Sequence, residues 1–449
     1  MKRAISKYLV YYPVLLMRRQ WVPRYLRRLN LSQWYDPEQL RQIQLTKLIA
    51  LLSFAKSNIP YYAKALANVD PARFRTLDDL QRVPVLTKDL LKEHFNTLQP
   101  TPLGRVLRKT TGGSTGTPVT VLRSFPASAV SYAAYWRGYS WAGIRIADPQ
   151  GRFWGVPSAH TDRRLARWTD VVLNRLRCSA FGFTDKDLAL YYERLCAFKP
   201  RYLYGYVSML EAFARFLLTN NLRLPSQLAS LIATAEVLTD FHRRLFEQAF
   251  RCRVYNEYGS GEVGTIAHEC DRGALHISAE RLIVEILRDG TPAAPGEKGD
   301  IVVTELHNTA MPLIRYNLKD VGALSGHSCS CGRGLPVLAE IAGRAYDIIY
   351  NKEGEAFYGS YFTYIFKELE RQHISVLAFQ VIQLDQESFV IKLVMLEKDR
   401  ARAETYIEQR IRSSYGTYAR VRYEYVPHIE REKSGKMRLN KSMIAHDPA

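Results

Sequence analysis

The 449-residue chain lacks any apolar run long enough to cross a bilayer. The nearest candidate, YLVYYPVLLM at 8–17, is broken by Pro13 and falls short of the about 20 apolar residues a spanning helix needs. The small-residue cleavage site of a secretory signal is missing as well. Cysteine is sparse, six residues in all, too few for a disulfide scaffold, and this points to a reducing, cytoplasmic setting. Cys178, Cys196 and Cys252 sit among apolar and basic residues and read as ordinary thiols. There is no internal repeat and no P-loop GxxxxGK[ST]. The basic runs lack the interleaved aromatics of a nucleic-acid module, so no nucleic-acid partner is expected.

Acidic residues are also scarce. Lys and Arg outnumber Asp and Glu by 63 to 44, a formal charge of +19 that favours polyanionic partners such as phosphorylated ligands or acidic lipid. The first thirty residues carry Lys2, Arg3, Lys7, Arg18, Arg19, Arg24, Arg27 and Arg28 with no acidic residue. Two settings are open to this segment: an amphipathic element on an anionic membrane surface, at the inner face of the membrane, or a helix packed on the protein body.

The periodicity predicts helices over much of 36–95, with Thr76 and Thr87 as caps. From about 105 to 340, β-rich runs such as RFWGV, YLYGY and ASLIATA alternate with helical ones, which argues for an α/β body with largely parallel strands. RLIVEIL and GDIVVTEL read as a β-rich section. Past Gly343–Asp347 the order is strand, helix, two strands joined at DQES, helix and strand, a compact α+β module. The expected organisation is a basic helical segment (1–44), a large domain with mixed and parallel sheets (45–343) and a small mobile C-terminal domain (344–449).

Three stretches carry chemistry. TTGGSTGTP at 110–118 puts hydroxyls beside Gly112, Gly113 and Gly116, whose bare backbone can wrap phosphate oxygens. The flanking RVLRK and VTVLR read as strands, so the loop joins them. YNEYGSGEVG at 255–264 sets Tyr258 beside Gly259, suited to stacking on a purine, and Glu262 near enough to hold Mg²⁺ between phosphates. Glu236 follows the strand of ATAEVLT. EKSGKMR at 432–438 places Lys436 in a tight turn, where a mobile domain could bring it to charge developing on a departing pyrophosphate.

HECDRGALHIS and GHSCSCGRG offer two ligands from each of two loops, Cys270 with His276 and Cys329 with Cys331. Soft thiolates plus an imidazole suit a closed, structural tetrahedral zinc site. His268 and His327 are competing ligands.

In this order TTGGSTGTP, YGSGE, RYNLKD, AGRAYD and KSGK resemble the successive motifs of the adenylate-forming superfamily. More narrowly, the chain resembles the phenylacetate–coenzyme A ligase family, in its capsular polysaccharide biosynthesis branch, from about residue 45 onward. Supporting runs are SNIPYY, RVPVLTK, KPRYLYGYVSML, AMPLIRY and CSCGRGLP. The resemblance implies that Thr111, Gly112, Gly113, Ser114, Thr115, Gly116 and Thr117 grip the ATP phosphates, with Thr115 also catalytic. It implies that Tyr258, flanked by Glu257 and Gly259, stacks on adenine, that Glu236 lies in the same nucleotide site, and that Glu262 binds Mg²⁺. Asp320 would hold the ribose with Arg344 nearby, Asp347 would be the hinge, and Lys436 would contact the carboxylate and α-phosphate. Trp154, Tyr206 and Ala235 would wall the acid pocket. Many relatives carry similar cysteine and histidine positions, in line with zinc.

The implied reaction joins a carboxylate to the α-phosphate of ATP, and the thiol of coenzyme A then displaces AMP. The family's usual R-Y-x-T-G-D departs here to Arg315–Tyr316–Asn317–Leu318–Lys319–Asp320. Leu and Lys tolerate positive φ poorly, so either the turn takes another path or the ribose contact weakens. Two other functions stay open: transfer of the acyl group to an amine or hydroxyl without coenzyme A, and a nucleotide-binding relative without turnover.

Overall fold

The computed structural model describes residues 6–17, 20–110, 119–154, 168–179, 185–344, 349–352, 356–357, 362, 365–366, 369, 372, 374, 376–430 and 438–444. The chain divides into two compact units, Met1–Leu318 with Gly322–Glu340, and Lys319–Val321 with Ile341–Ala449.

In the larger unit, β1 (Leu107–Thr110) and β2 (Thr120–Arg123) form an antiparallel pair. The strands that follow are β3 (Gln150–Trp154), β4 (Arg175–Ser179), β5 (Tyr202–Tyr206), β6 (Ser230–Thr234), β7 (Val254–Ser260), β8 (Gly264–Glu269) and β9 (Leu275–Ile277). They are succeeded by β10 (Leu282–Arg288), β11 (Thr291–Pro292), β12 (Gly299–Glu305), β13 (Tyr316–Leu324) and β14 (Val337–Arg344). A single 12-stranded sheet runs β11-β10-β12-β13-β14-β9-β8-β7-β6-β5-β3-β4. From β4 to β7 the neighbours are parallel. Beyond β7 the pairs β7–β8, β8–β9, β9–β14 and β10–β12 are antiparallel. The expected mixed α/β body is therefore the observed one.

The parallel half is buried on both faces, every residue of β5 and β6 included. Helices explain this. Phe153, Leu203, Leu231 and Ala233 pack against the helices Asp185–Phe198, Val207–Thr219 and Asp240–Phe250. On the opposite face Tyr202, Tyr204, Ile232 and Tyr255 pack against the helix Phe125–Trp141 and the N-terminal helix Val22–Ser32.

Of the two settings open to the N-terminal segment, packing on the body is realised. Trp136 Nε1 donates to the Tyr11 hydroxyl at 2.5 Å, Gln20 Nε2 to Ser128 Oγ at 2.7 Å, and Ser32 Oγ to Glu280 at 2.6 Å. Trp21, Leu31 and Trp34 nevertheless stay exposed. Asp36 caps the helix Pro37–Asn58 through a reciprocal box with Gln39, and Thr76 and Thr87 cap the short helices at Leu77–Arg82 and Lys88–Glu93. Among the described residues no helix is long and apolar enough to cross a membrane.

The smaller unit holds β15 (Ile349–Tyr350) paired with β16 (Ala356–Phe357). A four-stranded sheet is ordered β19-β18-β17-β20, built from β17 (Val376–Gln383), β18 (Ser388–Met395), β19 (Arg420–Tyr425) and β20 (Asn440–Ser442). The β17–β18 hairpin turns at the expected DQES, where Asp385 accepts from the amides of Glu387 and Ser388 at 2.8 Å each. Phe362, Ile365, Phe366 and Leu369, at helical spacing, join Ala403, Ile407 and Ile411 of the helix Arg400–Ser414 in its core.

Candidate functional site

In an open α/β sheet ligands gather at the carboxyl ends of parallel strands. The sequence candidates of the larger unit collect there. Trp154 ends β3, Tyr206 ends β5, Ala235 and Glu236 follow β6, and Glu257, Tyr258 and Gly259 lie toward the end of β7. Their sequence separation spans a hundred residues, and parallel pairing in register removes it. The Trp154 and Tyr206 rings meet with centroids 4.3 Å apart. Ala235 takes φ 68°, a left-handed turn that costs a non-glycine residue roughly 1–2 kcal/mol. Such strain concentrates where function fixes the backbone.

That turn swings Glu236 back to the start of the helix Val207–Thr219. Its carboxylate accepts from the Ser208 amide at 2.6 Å and from Ser208 Oγ at 3.0 Å. It thus closes the end of β6 onto the helix that leaves β5. Glu257 faces inward: it accepts from Tyr139 OH at 2.9 Å and from Thr265 Oγ1 at 3.0 Å. Burial pushes its carboxyl up, against those two hydrogen bonds. Both acids therefore hold elements in place, a role their sequence context does not reveal. Tyr258, next along β7, points to the opposite face and is buried. Glu262 sits in the tight β7–β8 turn, partly exposed, and its carbonyl accepts from Arg123 Nη1 at 3.4 Å.

Arg123 ends β2, so this contact ties the β1–β2 pair to the Glu262 turn. Thr110 Oγ1 and Thr120 Oγ1, at 3.0 Å, pair across the ends of β1 and β2 that flank the glycine-rich stretch. Thr111, Gly112, Gly113, Ser114, Thr115, Gly116 and Thr117 themselves lie outside the described residues, as do Asp347 and Lys436.

Asp320 lies within β13 and is partly buried, and Arg344 is the last residue of β14. Lys319 resolves the question raised by RYNLKD. It adopts φ 59°, the left-handed conformation that glycine would supply at that position of the usual pattern. The backbone is left-handed here with a lysine on it.

Cys270, His276, Cys329 and Cys331 converge, their ligand atoms all within 4.8 Å of one another. Cys270 Sγ and Cys329 Sγ are 3.8 Å apart, and Cys331 Sγ lies 3.2 Å from His276 Nε2. Tetrahedral zinc with bonds of about 2.3 Å to sulfur separates two sulfurs by roughly 3.8 Å. His276 Nδ1 meets the Leu335 carbonyl at 3.1 Å, which turns Nε2 toward the sulfurs as a metal-binding histidine requires. The donor set fits zinc. His268 is elsewhere, ringed by Tyr135, Tyr139 and Trp141, and burial pushes it down to about 3. His327 is exposed and outside the cluster.

Sequence reading passed over Arg152. The parallel register sets it opposite Tyr204, and its guanidinium carbon lies 4.5 Å from the ring centres of both Trp154 and Tyr204.

The fold is that of adenylate-forming ligases. Among solved structures, 2-hydroxyisobutyryl-CoA ligase in the postadenylation state, in complex with R3-HIB-AMP, aligns over 88% of each chain with a TM-score of 0.71 at 19% identity. The chain is homologous to Protein CapK of Staphylococcus aureus, 23% identical over 439 residues that cover 95% of this chain and 94% of the other. That coverage exceeds what residue 45 onward can supply, so the relationship reaches into the basic N-terminus. It is also homologous to the phenylacetate-coenzyme A ligases, such as that of Thermus thermophilus, 28% identical over 330 residues covering 70% of this chain and 72% of the other. Residues 349–443 match the CapK C-terminal domain.

Proposed function

We propose that this protein activates a carboxylic acid with ATP, forming acyl-AMP, and passes the acyl group to the thiol of coenzyme A. The observation that carries this is the convergence of Trp154, Tyr206, Ala235, Tyr258 and Glu262 at one end of the parallel strands, on a fold shared with acid–CoA ligases. In the first step an acid oxygen bonds to the α-phosphorus, and the bond to pyrophosphate breaks. In the second the thiol sulfur bonds to the acyl carbon, its proton leaves, and AMP departs with the electron pair. AMP is a far better leaving group than hydroxide, which is why the anhydride is made.

Thr111 to Thr117 hold the ATP phosphates, Tyr258 stacks on adenine, and Asp320 takes the ribose hydroxyls with Arg344 beside it. Glu262 suits Mg²⁺: among the described residues no side chain forms an ion pair with its carboxylate. Mg²⁺ there would neutralise the pyrophosphate. Asp347 serves as the hinge, and Lys436 steadies the charge at the α-phosphate. Zinc at the four-ligand cluster is structural, since a closed site leaves no position for substrate. We place the reaction in the cytoplasm, in polysaccharide biosynthesis. Exposed Trp21, Leu31 and Trp34 beside Arg24, Arg27 and Arg28 support peripheral attachment to an anionic membrane surface.

Pyrophosphate release from a panel of acids, with and without coenzyme A, tests the reading. Release is expected, with thioester formed only when coenzyme A is present. Lys436→Ala should slow it by roughly 100-fold or more, the scale on which losing one group that stabilises developing charge is felt. Unchanged release in that variant would remove Lys436 from the chemistry.

A further inference from the structure

Arg152 is a partly buried cation with no carboxylate paired with it among the described residues. It lies beside the stacked Trp154 and Tyr204 rings, and among the described residues it makes no hydrogen bond and no ion pair, while its Nε is shut off from solvent and unbonded. The adjacent guanidinium, Arg177, stands directly opposite it on β4 and is closed by Asp170 through two hydrogen bonds of 2.9 Å. The nearby Glu257 is occupied by Tyr139 and Thr265. The Tyr135 hydroxyl, on the helix covering this face, lies toward that of Tyr139 without reaching hydrogen-bond geometry, and it too is buried and unbonded. Burial pushes the Tyr135 phenol up, and the charges of Arg175 and Arg152 work against that rise.

A guanidinium has five N–H donors, all in its plane. Here the Trp154 and Tyr204 rings, stacked on one another with centroids 5.4 Å apart, lie to one side of it and take none of its N–H donors. Its donor-bearing edge matches a carboxylate or phosphate, which accepts two parallel N–H bonds. Arg152 is partly buried with its Nε shut off from solvent, and an anion taking its donors would remove the cost of that unmade hydrogen bond. The position is specific too. Trp154 ends β3 at the rim, and Arg152 lies two residues deeper on the same sheet face.

We propose that the acid activated by this protein is a dianion whose second anionic group, a carboxylate or phosphate, is received by Arg152 at the floor of the pocket while the reacting carboxylate stays at the strand ends. This rests on the adenylation reading for the role of the reacting end. The anion subsite itself rests on Arg152 alone.

Matched acids differing only in the second charge test it with the full-length protein: adipate against hexanoate, and phenylacetate against its para-carboxy derivative. In pyrophosphate release, kcat/KM should favour the dianion of each pair by about tenfold to a hundredfold, the worth of hydrogen bonds to a charged group. Arg152→Gln should collapse that ratio toward unity, and Arg152→Lys, which keeps the charge but loses the fork, should retain part of it. Circular dichroism and the thermal midpoint report whether the variants fold. Calorimetric binding of adipate provides a readout without turnover. Adipate binding that Arg152→Gln abolishes, with no pyrophosphate released from any acid, would sink the adenylation reading and leave the anion subsite standing. A preference for the monoanions, or a dianion preference that Arg152→Gln leaves intact, would sink the subsite and leave adenylation standing.

Discussion

Two groups of arginines in the larger unit are buried in opposite ways. Arg123 and Arg281 both donate to Glu305, Arg281 Nη2 at 3.2 Å, and Arg281 also donates to the Val263 carbonyl at 2.6 Å. Arg137 pairs with Glu280 in the same manner. Each of these cations has a carboxylate of the protein as counter-charge, although their Nε atoms, like that of Arg152, are buried without an acceptor. Arg152 has two stacked rings to one side and, among the described residues, no carboxylate paired with it. A buried ion pair satisfied internally ties distant segments together: Arg123 lies on β2, Glu305 on β12 and Arg281 just before β10. A guanidinium whose donors are left over is available to a ligand. The same residue type thus serves architecture in one place and recognition in the other, and the presence of a carboxylate decides which.

The comparison can be broken at its closed end. Glu305→Gln would leave two fully buried guanidiniums without their counter-charge, and the loss should be about 3–5 kcal/mol in urea unfolding. A loss below about 1 kcal/mol would show that the closed set is no more structural than Arg152. The thiol cluster sharpens the contrast from the other side, since it gathers soft ligands that a metal cation would close. Purified protein should carry about one zinc per chain by metal analysis. Cys329→Ser should lose it and destabilise the fold by about 1–3 kcal/mol. Protein purified without zinc would remove the metal from the account.

Much of this was legible in the chain. The strand-loop-strand reading of 105–123 came from two β-rich runs around a glycine loop, and β1 and β2 pair there. Cys270, His276, Cys329 and Cys331 could be grouped because soft donors in two short loops have few other uses. The unpaired arginine could not be read, because RFW in a strand looks like any half-buried edge. Its meaning depends on which residue faces it across β5, and register is a property of the folded sheet. Glu236 and Glu257 were legible as carboxylates near a site. Their engagement by Ser208, Tyr139 and Thr265 depends on the turn at Ala235 and the packing of the helix Phe125–Trp141. The RYNLKD departure posed its question correctly, and only the backbone could answer it.

That answer carries the smallest prediction. Lys319 at φ 59° bears strain of roughly 1–2 kcal/mol that glycine would not. Glycine gives back roughly 0.5–1 kcal/mol through the greater freedom of the unfolded chain. Lys319→Gly should therefore stabilise the protein by about 0.5–1 kcal/mol, seen as a higher urea midpoint with an unchanged slope. An unchanged slope matters because it assigns the gain to the turn and not to a different unfolded state. If Asp320 serves the ribose, the same variant should leave the affinity for ATP within about twofold, since the backbone before the aspartate is already left-handed. Destabilisation by Lys319→Gly would mean that the lysine side chain contributes more to this turn than its strained backbone costs.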